Sequence, residues 1–255
     1  MIENWVGFHT LVKREWQRTM KILNQVIWPP IITTVLYVFV FGLALGSRIK
    51  SVDGVSYGAF LIPGLIMLQI IDASYGECSS SLFQSRFLGS IGELLVAPLS
   101  AFELVSGFLL AGVMRAFFIA FLILSVGAVL THALPHVWWL AIVVVGLVAT
   151  LFSALGIVFG LMAEKFDHIA VLTTFVITPL TFVGGVFTSI TFLPPLMRFI
   201  SYVNPIFYMI DALRYCFTLH SDVSIVLSLT VITSLTAAAT FLAFQLVASG
   251  YKLRL

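Results

Sequence analysis

The sequence contains little charge, few cysteines and no recognised catalytic motif. Only 9% of its 255 residues are charged, whereas 60% are hydrophobic, and this balance excludes a fold whose whole surface faces water. The net charge of +2 does not indicate a nucleic-acid partner. The two cysteines, Cys78 and Cys216, fall on opposite sides of the predicted membrane domain, so no disulfide is expected between them.

Motifs for nucleotide binding and hydrolysis are also missing. The sequence has no GxxxxGKS/T phosphate-binding loop, no Gly-x-Ser-x-Gly elbow, no His-Glu-x-x-His and no pair of CxxC elements. His132 and His136 lie four residues apart, but Pro135 between them breaks the helical spacing of a two-histidine site, and no metal site is predicted. If ATP drives this protein, another chain must bind the ATP.

Apolar runs occupy most of the chain. A helix needs about 20 mainly apolar residues to cross the hydrocarbon core of a bilayer, and six segments meet this requirement. The sequence therefore predicts an all-α membrane protein whose two termini lie on the same side. The predicted spans are Pro29–Gly46, Gly58–Ser81, Phe102–Leu130, His136–Met162, His168–Ser189 and Val223–Ala248.

Basic residues are distributed unevenly between the two sides of these spans. Eight of the thirteen lie on the side of the termini, four lie on the other side, and Arg115 lies within the third span. The positive-inside rule then predicts that both termini are cytoplasmic. The eight are Lys13, Arg14, Arg18, Lys21, Arg86, Lys165, Lys252 and Arg254.

The segment before the first span has the periodicity of an amphipathic helix. Between Trp5 and Leu23 apolar residues recur every three or four positions, and the basic residues occupy another face. This pattern favours an interfacial helix over residues 1–28, with its basic face toward anionic headgroups and Pro29–Pro30 as its boundary with the membrane domain at 29–255. A plain extension of the first span is the alternative.

Polar residues at membrane depth are expensive and indicate an interior face, a partner or a pathway. In the second span Gln69, Asp72, Gly76 and Ser80 form one helical stripe. Counting residues from the span ends places Asp72 and Arg115 at similar depth. An Asp72–Arg115 ion pair is the resulting hypothesis, with Glu77 as the less favoured partner, and both a structural and a functional role stay open for the pair.

Two segments resemble a known family. These are IGELLVAPLS, Ile91–Ser100, and the connection Gly184–Tyr215, in which LPP is followed by NP and then by an arginine nine residues after that proline. Together with the six spans they are similar to the membrane subunits of type-2 ABC exporters. The resemblance implies a non-catalytic permease in the cell's inner (plasma) membrane that pairs with a second copy of itself and with two ATP-binding cassette subunits, which hold the ATP and Mg.

The resemblance also implies roles for three groups of residues. The first is a coupling helix at about 85–98 that contacts the ATPase, the second borders the translocation path, and the third belongs to a re-entrant helix pair at about 194–219. The coupling candidates are Arg86, Phe87, Ile91, Glu93, Leu94 and Leu95. The path candidates are Gln69, Asp72, Arg115, Thr178, Gly184 and Gly185. The re-entrant candidates are Pro195, Tyr202, Asn204, Pro205, Tyr208, Asp211 and Arg214.

Local patterns add three expectations in the last third of the chain. Pro179 is predicted to interrupt the regular hydrogen bonding of the fifth span. Asn204 is predicted to cap the helix that begins at Pro205. Asp211 and Arg214, three residues apart on that helix, are close enough to form an ion pair.

The leading functional prediction is an ATP-driven exporter subunit for a hydrophobic or amphipathic substrate such as a drug, a lipid or a lipid-linked saccharide. The alternative is a secondary transporter or channel without an ATPase, which would require ion-coupling residues or an inverted repeat. A membrane-embedded enzyme would require a cluster of His, Asp or Ser at one depth. Neither signature is present in the sequence.

Overall fold

The computed structural model describes residues 4–44, 51–52 and 55–252, and it leaves the side chains of residues 43, 44, 51, 52, 55, 93–95 and 191 undescribed. Within this part of the chain almost every element is a helix. The helices are α1 (Trp5–Lys21), α2 (Leu23–Ala44), α3 (Tyr57–Phe87), α4 (Ile91–Val96), α5 (Ala101–Thr131), α6 (Trp138–Met162), α7 (Phe166–Leu172), α8 (Thr178–Val183), α9 (Pro195–Val203), α10 (Pro205–Thr218) and α11 (Ile225–Ala248). The strands β1 (Ser51–Val52) and β2 (Val55–Ser56) form one antiparallel pair.

Six helical segments are long and apolar enough to cross a membrane, as the sequence predicts. They are residues Leu23–Gly42, Tyr57–Phe87, Ala101–Thr131, Trp138–Met162, Phe166–Val183 and Ile225–Ala248. The fifth segment ends at Val183 rather than at the predicted Ser189, because a turn at residues 184–189 follows it.

Contacts between connections define the two ends of the bundle. At one end Asn4 bonds to Glu103, Arg86 bonds to Ala163, and Lys252 pairs with Glu164. We call this end the terminal face. At the other end the Tyr57 hydroxyl donates to the Phe187 carbonyl at 2.7 Å, and the His136 N–H donates to the Cys216 carbonyl at 2.7 Å. We call that end the opposite face.

Helix α3 lies at the centre of the bundle and packs mainly against α6 and α5. Small residues on one face of α6 permit this close approach, namely Ala149, Ser153, Gly156 and Gly160. A Cβ atom added at Gly156 would lie 2.7 Å from the Tyr75 carbonyl oxygen, and one at Gly160 would lie 2.9 Å from the Ser79 carbonyl oxygen. Gly156 and Gly160 therefore place the two backbones in contact.

The break between the N-terminal helix and the first span lies at Ile22, and the prediction of a break at Pro29–Pro30 is wrong. Helix α2 begins at Leu23 and contains both prolines. Helix α1 ends one residue earlier, where the Ile22 N–H bonds to the Thr19 and Met20 carbonyls. The prolines lie near the start of α2, where they remove only two hydrogen bonds of a long helix.

Helix α3 continues six residues beyond the predicted end of the second span. Arg86 and Phe87 therefore belong to the last turn of α3, and the helix after it, α4, covers only Ile91–Val96. Gly89, with φ of +73°, forms the turn between the two helices, a conformation that favours glycine. The predicted coupling helix at 85–98 is thus two elements.

The fifth span contains the interruption predicted from Pro179. Between α7 and α8 the residues Thr173–Ile177 form a π-helical turn, and the Thr178 N–H donates to the Thr173 carbonyl five residues earlier. Proline cannot donate a backbone hydrogen bond, and a π-bulge absorbs the resulting mismatch. Helices α9 and α10 follow at 195–218, within the range predicted for a pair of short helices.

Candidate functional site

Helix α3 has one open stripe on an otherwise buried surface. Gln69, Asp72, Gly76 and Ser80 are half-buried, as is the adjacent Ala73, whereas the other α3 residues between 69 and 80 are buried. A Cβ atom added at Gly76 meets no other atom within 4 Å. The Asp72 side chain makes no hydrogen bond or ion pair with the described residues. We call these four residues the α3 stripe.

A second polar feature joins α1, α3 and α5 toward the terminal face. Glu15 and Glu77 are buried, with 1% and 2% exposure. Glu15 pairs with Arg14 at 2.8 Å and with Arg18 at 3.3 Å, and it accepts a hydrogen bond from Ser81 at 2.5 Å. Glu77 pairs with Arg18 at 2.6 Å and also with Arg115. We call Arg14, Glu15, Arg18, Glu77 and Arg115 the charge network.

The predicted Asp72–Arg115 ion pair is therefore wrong, because Arg115 pairs with Glu77. Asp72 lies at a depth along the helix axis similar to that of Arg115. The partner of Arg115 is decided instead by the direction in which each carboxylate points around the axis of α3. Asp72 and Glu77 are five residues apart, which is about 140° around a helix. Glu77 is on the face that meets α1 and α5, whereas Asp72 lies on the open stripe.

The charge network also changes the interpretation of α1. Leu11, Glu15 and Thr19 form the buried face of this helix, and a Cβ atom added at Gly107 of α5 would lie 2.5 Å from Leu11 Cδ2. Arg18 points inward to Glu77, whereas Lys13 and Lys21 are exposed. Part of the predicted headgroup-binding face is thus internal, because two buried carboxylates bind its arginines.

Arg86 is buried at the junction of α3 and α6 and does not present its charge to a partner. Its Nη1 donates to the carbonyls of Gly160, Leu161 and Ala163 at 3.0, 2.8 and 3.1 Å. These carbonyls lie at the C-terminal end of α6, where a cation is favourable. The prediction that Arg86 is a polar contact for an ATPase is corrected to a role in joining two helix ends.

The other coupling candidates divide into three classes. Phe87 is 70% exposed, and Ile91 is buried. The side chains of Glu93, Leu94 and Leu95 lie outside the described residues, although their backbone belongs to α4. Among the coupling candidates whose side chains are described, Phe87 is the one exposed for contact with another protein.

Asn204 connects the short helices to the end of the fifth span. Its Oδ1 accepts a hydrogen bond from the Ile206 N–H at 3.0 Å, so the predicted cap at Pro205 is confirmed. Its Nδ2 donates to the Leu180 carbonyl at 2.5 Å. Helix α9 is largely exposed, including Pro195 and Tyr202, and the half-buried Tyr208 donates its hydroxyl to the Tyr202 carbonyl at 2.8 Å.

Asp211 and Arg214 are both buried, but the predicted ion pair between them is wrong. Asp211 Oδ1 accepts a hydrogen bond from the Asp222 N–H at 2.8 Å, and its Oδ2 has no hydrogen-bond partner among the residues that the structure describes. Arg214 donates to the Gly185 carbonyl, and its guanidinium lies 4.0 Å from the centre of the Phe60 ring. Each side chain thus bonds to a neighbouring segment rather than along its own helix.

The predicted path residues near the end of α8 fall into two groups. Thr178 is half-buried, whereas Gly184 and Gly185 are buried beneath α10. A Cβ atom added at Gly184 would lie 3.2 Å from Ile210 and 3.3 Å from Asn204, and Gly185 has φ of +94°. The two glycines therefore permit the turn that holds α10 against α8.

Comparison with known proteins decides the family. A family profile described as ABC-2 type transporter matches residues 6–218. The chain belongs to the ABC-2 type transporter family. The family resemblance predicted from the sequence is confirmed, and the protein is a membrane subunit of a transporter.

Two relatives show how far the similarity to other members of the family extends. The inner membrane transport permease YadH of Escherichia coli (strain K12) is 38% identical over 250 residues, which cover 98% of both chains. Nodulation protein J of Rhizobium leguminosarum bv. viciae is 30% identical over 184 residues, which cover 71% of this chain and 70% of that protein.

Sequence reasoning missed one central residue of this ABC-2 transporter subunit. Glu15 binds three side chains of α1 and α3, yet the periodicity of α1 indicates only an apolar face and a basic face. The available signal was an acidic residue four positions after Leu11 and four before Thr19, on the face that is buried. No group of three or more metal-ligating side chains occurs among the described residues.

Proposed function

We propose that this protein is the permease subunit of an ATP-driven exporter for a hydrophobic or amphipathic substrate, such as a drug, a lipid or a lipid-linked saccharide. It works as two copies together with two ATP-binding cassette subunits, which bind the ATP and Mg. It lies in the inner membrane with both termini in the cytoplasm, so that the terminal face is the cytoplasmic face. The name of its YadH relative and the distribution of basic residues support this placement.

The α3 stripe is the observation that carries the proposal. A carboxylate at membrane depth must face protein or water, and Asp72 has no partner among the described residues. The neighbouring Gly76 leaves the surface flat and open. Two copies that face each other along this stripe would enclose a polar path, with Gln69 and Asp72 in its wall and Thr178 of the fifth span beside it.

The junction of α3 with α4 supports a mechanical link to the ATPase. Helix α4 follows α3 after a three-residue turn, and Phe87 is exposed beside it. Arg86 ties the same end of α3 to the last carbonyls of α6. A force applied to α4 by an ATP-binding cassette subunit would therefore move α3 and α6 together, and with them the α3 stripe.

Disulfide crosslinking between copies tests the arrangement. Both native cysteines are buried, so the substitution Gly76→Cys introduces a reactive thiol on the stripe with little background. We expect Gly76→Cys to crosslink two copies in membranes, with a yield that changes when ATP is added to the complex with the cassette subunit. The matched control is Phe121→Cys on α5, which is 67% exposed on another surface. Equal crosslinking of both variants, or none at Gly76→Cys, would contradict the proposal.

Measurement of substrate export and ATP hydrolysis is the second test of the proposal. We expect Asp72→Asn to insert normally and to change substrate export and substrate-stimulated ATP hydrolysis, because it alters the charge of the proposed path. Export that continues in membranes without any ATP-binding cassette subunit would favour a secondary transporter instead.

A further inference from the structure

A polar cavity lies between α1 and the end of α3 at the terminal face. We propose that this cavity binds the phosphate of an anionic lipid headgroup, so that α1 is held to the membrane at a defined site. The inference does not depend on the exported substrate. Ser85, Leu88 and Ser90 of the cavity wall belong to the segment proposed to contact the ATPase, so the site is tested with and without that subunit.

The cavity has a volume of about 270 Å³ and opens to the surface. Helix α1 contributes Arg14, Gln17, Arg18 and Lys21 to its wall, and the last turns of α3 contribute serine and glutamine side chains, including Gln84. Hydrogen-bond donors thus approach the space from two helices. This volume accommodates several water molecules or one phosphate group with part of its hydration.

Positive charges outnumber negative charges around the cavity. Within the charge network three arginines, Arg14, Arg18 and Arg115, face two glutamates, Glu15 and Glu77. Lys21 adds a further positive charge at the cavity wall. Arg14, Arg18 and Lys21 contribute three positive charges to the cavity wall, against one negative charge from Glu15, and this surplus favours an anionic ligand.

Glu15 is the single carboxylate in the cavity wall, and both of its oxygens are occupied. Oε1 accepts hydrogen bonds from Arg14, and Oε2 accepts one from Ser81 and pairs with Arg18. Its negative charge is offset by the paired Arg14 and Arg18, which reduces its repulsion of a phosphate. In contrast, Gln17, Lys21 and Gln84 are exposed and make no side-chain hydrogen bond or ion pair with the described residues.

The rim of the cavity distinguishes a lipid from free phosphate. Leu88 lines the cavity and is 66% exposed, and Ile22, which follows Lys21 of the cavity wall in the chain, is also exposed. An apolar rim above a set of phosphate donors matches an amphipathic molecule whose headgroup enters the cavity and whose chains leave along the helix surface. Trp28, exposed near the start of α2, belongs to the residue type that is enriched at headgroup level.

Native mass spectrometry of the full-length protein, alone and with its ATP-binding cassette subunit, tests the site. The probes are phosphatidylglycerol, phosphatidylcholine and inorganic phosphate. The variants are Lys21→Gln and the double variant Arg14→Gln/Lys21→Gln, and the matched control is Lys13→Gln. Lys13 is exposed on α1 but does not line the cavity, so it reports diffuse attraction between a basic helix and an anionic lipid.

We expect one phosphatidylglycerol per chain to bind more tightly than phosphatidylcholine. One basic residue near an anionic headgroup is worth about 1 kcal/mol, or roughly a fivefold change in affinity. Lys21→Gln should therefore weaken binding about fivefold, the double variant should weaken it further, and Lys13→Gln should leave it within about twofold. Lys21 is exposed and unpaired, so its variant keeps the test valid even if the double variant fails to fold.

Four outcomes would overturn the proposal. The double variant and Lys21→Gln could retain full phosphatidylglycerol binding, or Lys13→Gln could weaken it as much as Lys21→Gln, which would indicate diffuse attraction. Inorganic phosphate could bind as tightly as the lipid, which would make the site a soluble-anion site. The cassette subunit could displace the lipid and protect Lys21 from chemical modification, which would make the cavity a protein-docking surface.

Discussion

Arg115 of α5 donates to Glu77 of α3, and the same carboxylate binds Arg18 of α1 at 2.6 Å. One buried acidic group therefore connects three helices, including the helix that precedes the first span. Because α3 lies at the centre of the bundle, this contact links the position of α1 to the helix that carries the α3 stripe.

Removal of the Glu77 charge is expected to destabilise the protein strongly. Glu77→Gln leaves Arg18 and Arg115 without their shared counter-ion, and breaking a buried pair costs about 3–5 kcal/mol. The midpoint of thermal unfolding in detergent, followed by tryptophan fluorescence, should fall by many degrees. Glu164→Gln is the control, because Glu164 is exposed and pairs with the surface residue Lys252, and surface pairs contribute little. Equal midpoints for the two variants would show that the network is energetically unimportant.

The three hydrogen bonds from Arg86 to the end of α6 are expected to hold the two helix ends together. Arg86→Ala leaves buried carbonyls without a donor, which costs about 2–3 kcal/mol. The neighbouring Phe87→Ala removes an exposed side chain and should change stability by less than about 1 kcal/mol. Denaturant unfolding distinguishes the two. If Phe87→Ala lowers the free energy of unfolding more than Arg86→Ala does, Arg86 does not hold the ends of α3 and α6 together.

Two glycines in the bundle are expected to respond oppositely to alanine. A Cβ atom at Gly156 would lie 2.7 Å from the Tyr75 carbonyl oxygen, whereas one at Gly76 meets nothing within 4 Å. Gly156→Ala should destabilise the protein by about 1–3 kcal/mol, because the backbone of α3 must move. Gly76→Ala should be neutral or stabilise the fold by up to about 1 kcal/mol through helix propensity.

These glycine variants separate folding from transport. Gly76→Ala places a methyl group on the α3 stripe, so a well-folded protein with reduced export would support contact between two copies there. A well-folded Gly156→Ala protein with unchanged α3–α6 packing would contradict the packing argument.

Stability is expected to depend on pH through Asp211, which lies outside the six candidate spans. Burial raises the pKa of Asp211 from 3.8 to about 6, because its carboxylate is removed from water, and the hydrogen bond from the Asp222 backbone offsets only part of this shift. A raised carboxyl pKa contributes stability below the unfolded value of about 4, and this contribution is lost as the pH rises through 6. The change is at most about 3 kcal/mol.

Asp211→Asn tests this pH dependence. The amide keeps the acceptor for the Asp222 N–H but cannot ionise, so the variant should be more stable than the unmodified protein at pH 7.5 and similar at pH 4.5. Asp167→Asn, which removes an exposed charge, is the control. A constant difference between Asp211→Asn and the unmodified protein across this range would refute the prediction.

Most of the fold could be predicted from the sequence, because only a few kinds of backbone structure can span a bilayer. Runs of apolar residues determined the number of spans, and the span from Ala101 to Thr131 agrees with its prediction within one residue at each end. Pro179 and Asn204 act through local backbone geometry, and both expectations are confirmed. The two marker segments were sufficient to identify the family.

Side-chain partners could not be predicted in the same way. Arg115 pairs with Glu77 and Arg214 donates to the Gly185 carbonyl. Arg86 is buried and donates to carbonyls at the end of α6. Depth in the membrane follows from counting residues, but the direction of a side chain depends on how each helix is rotated against its neighbours. That rotation is decided by packing at residues such as Gly107 and Gly156 from different segments, and it exists only in the tertiary structure.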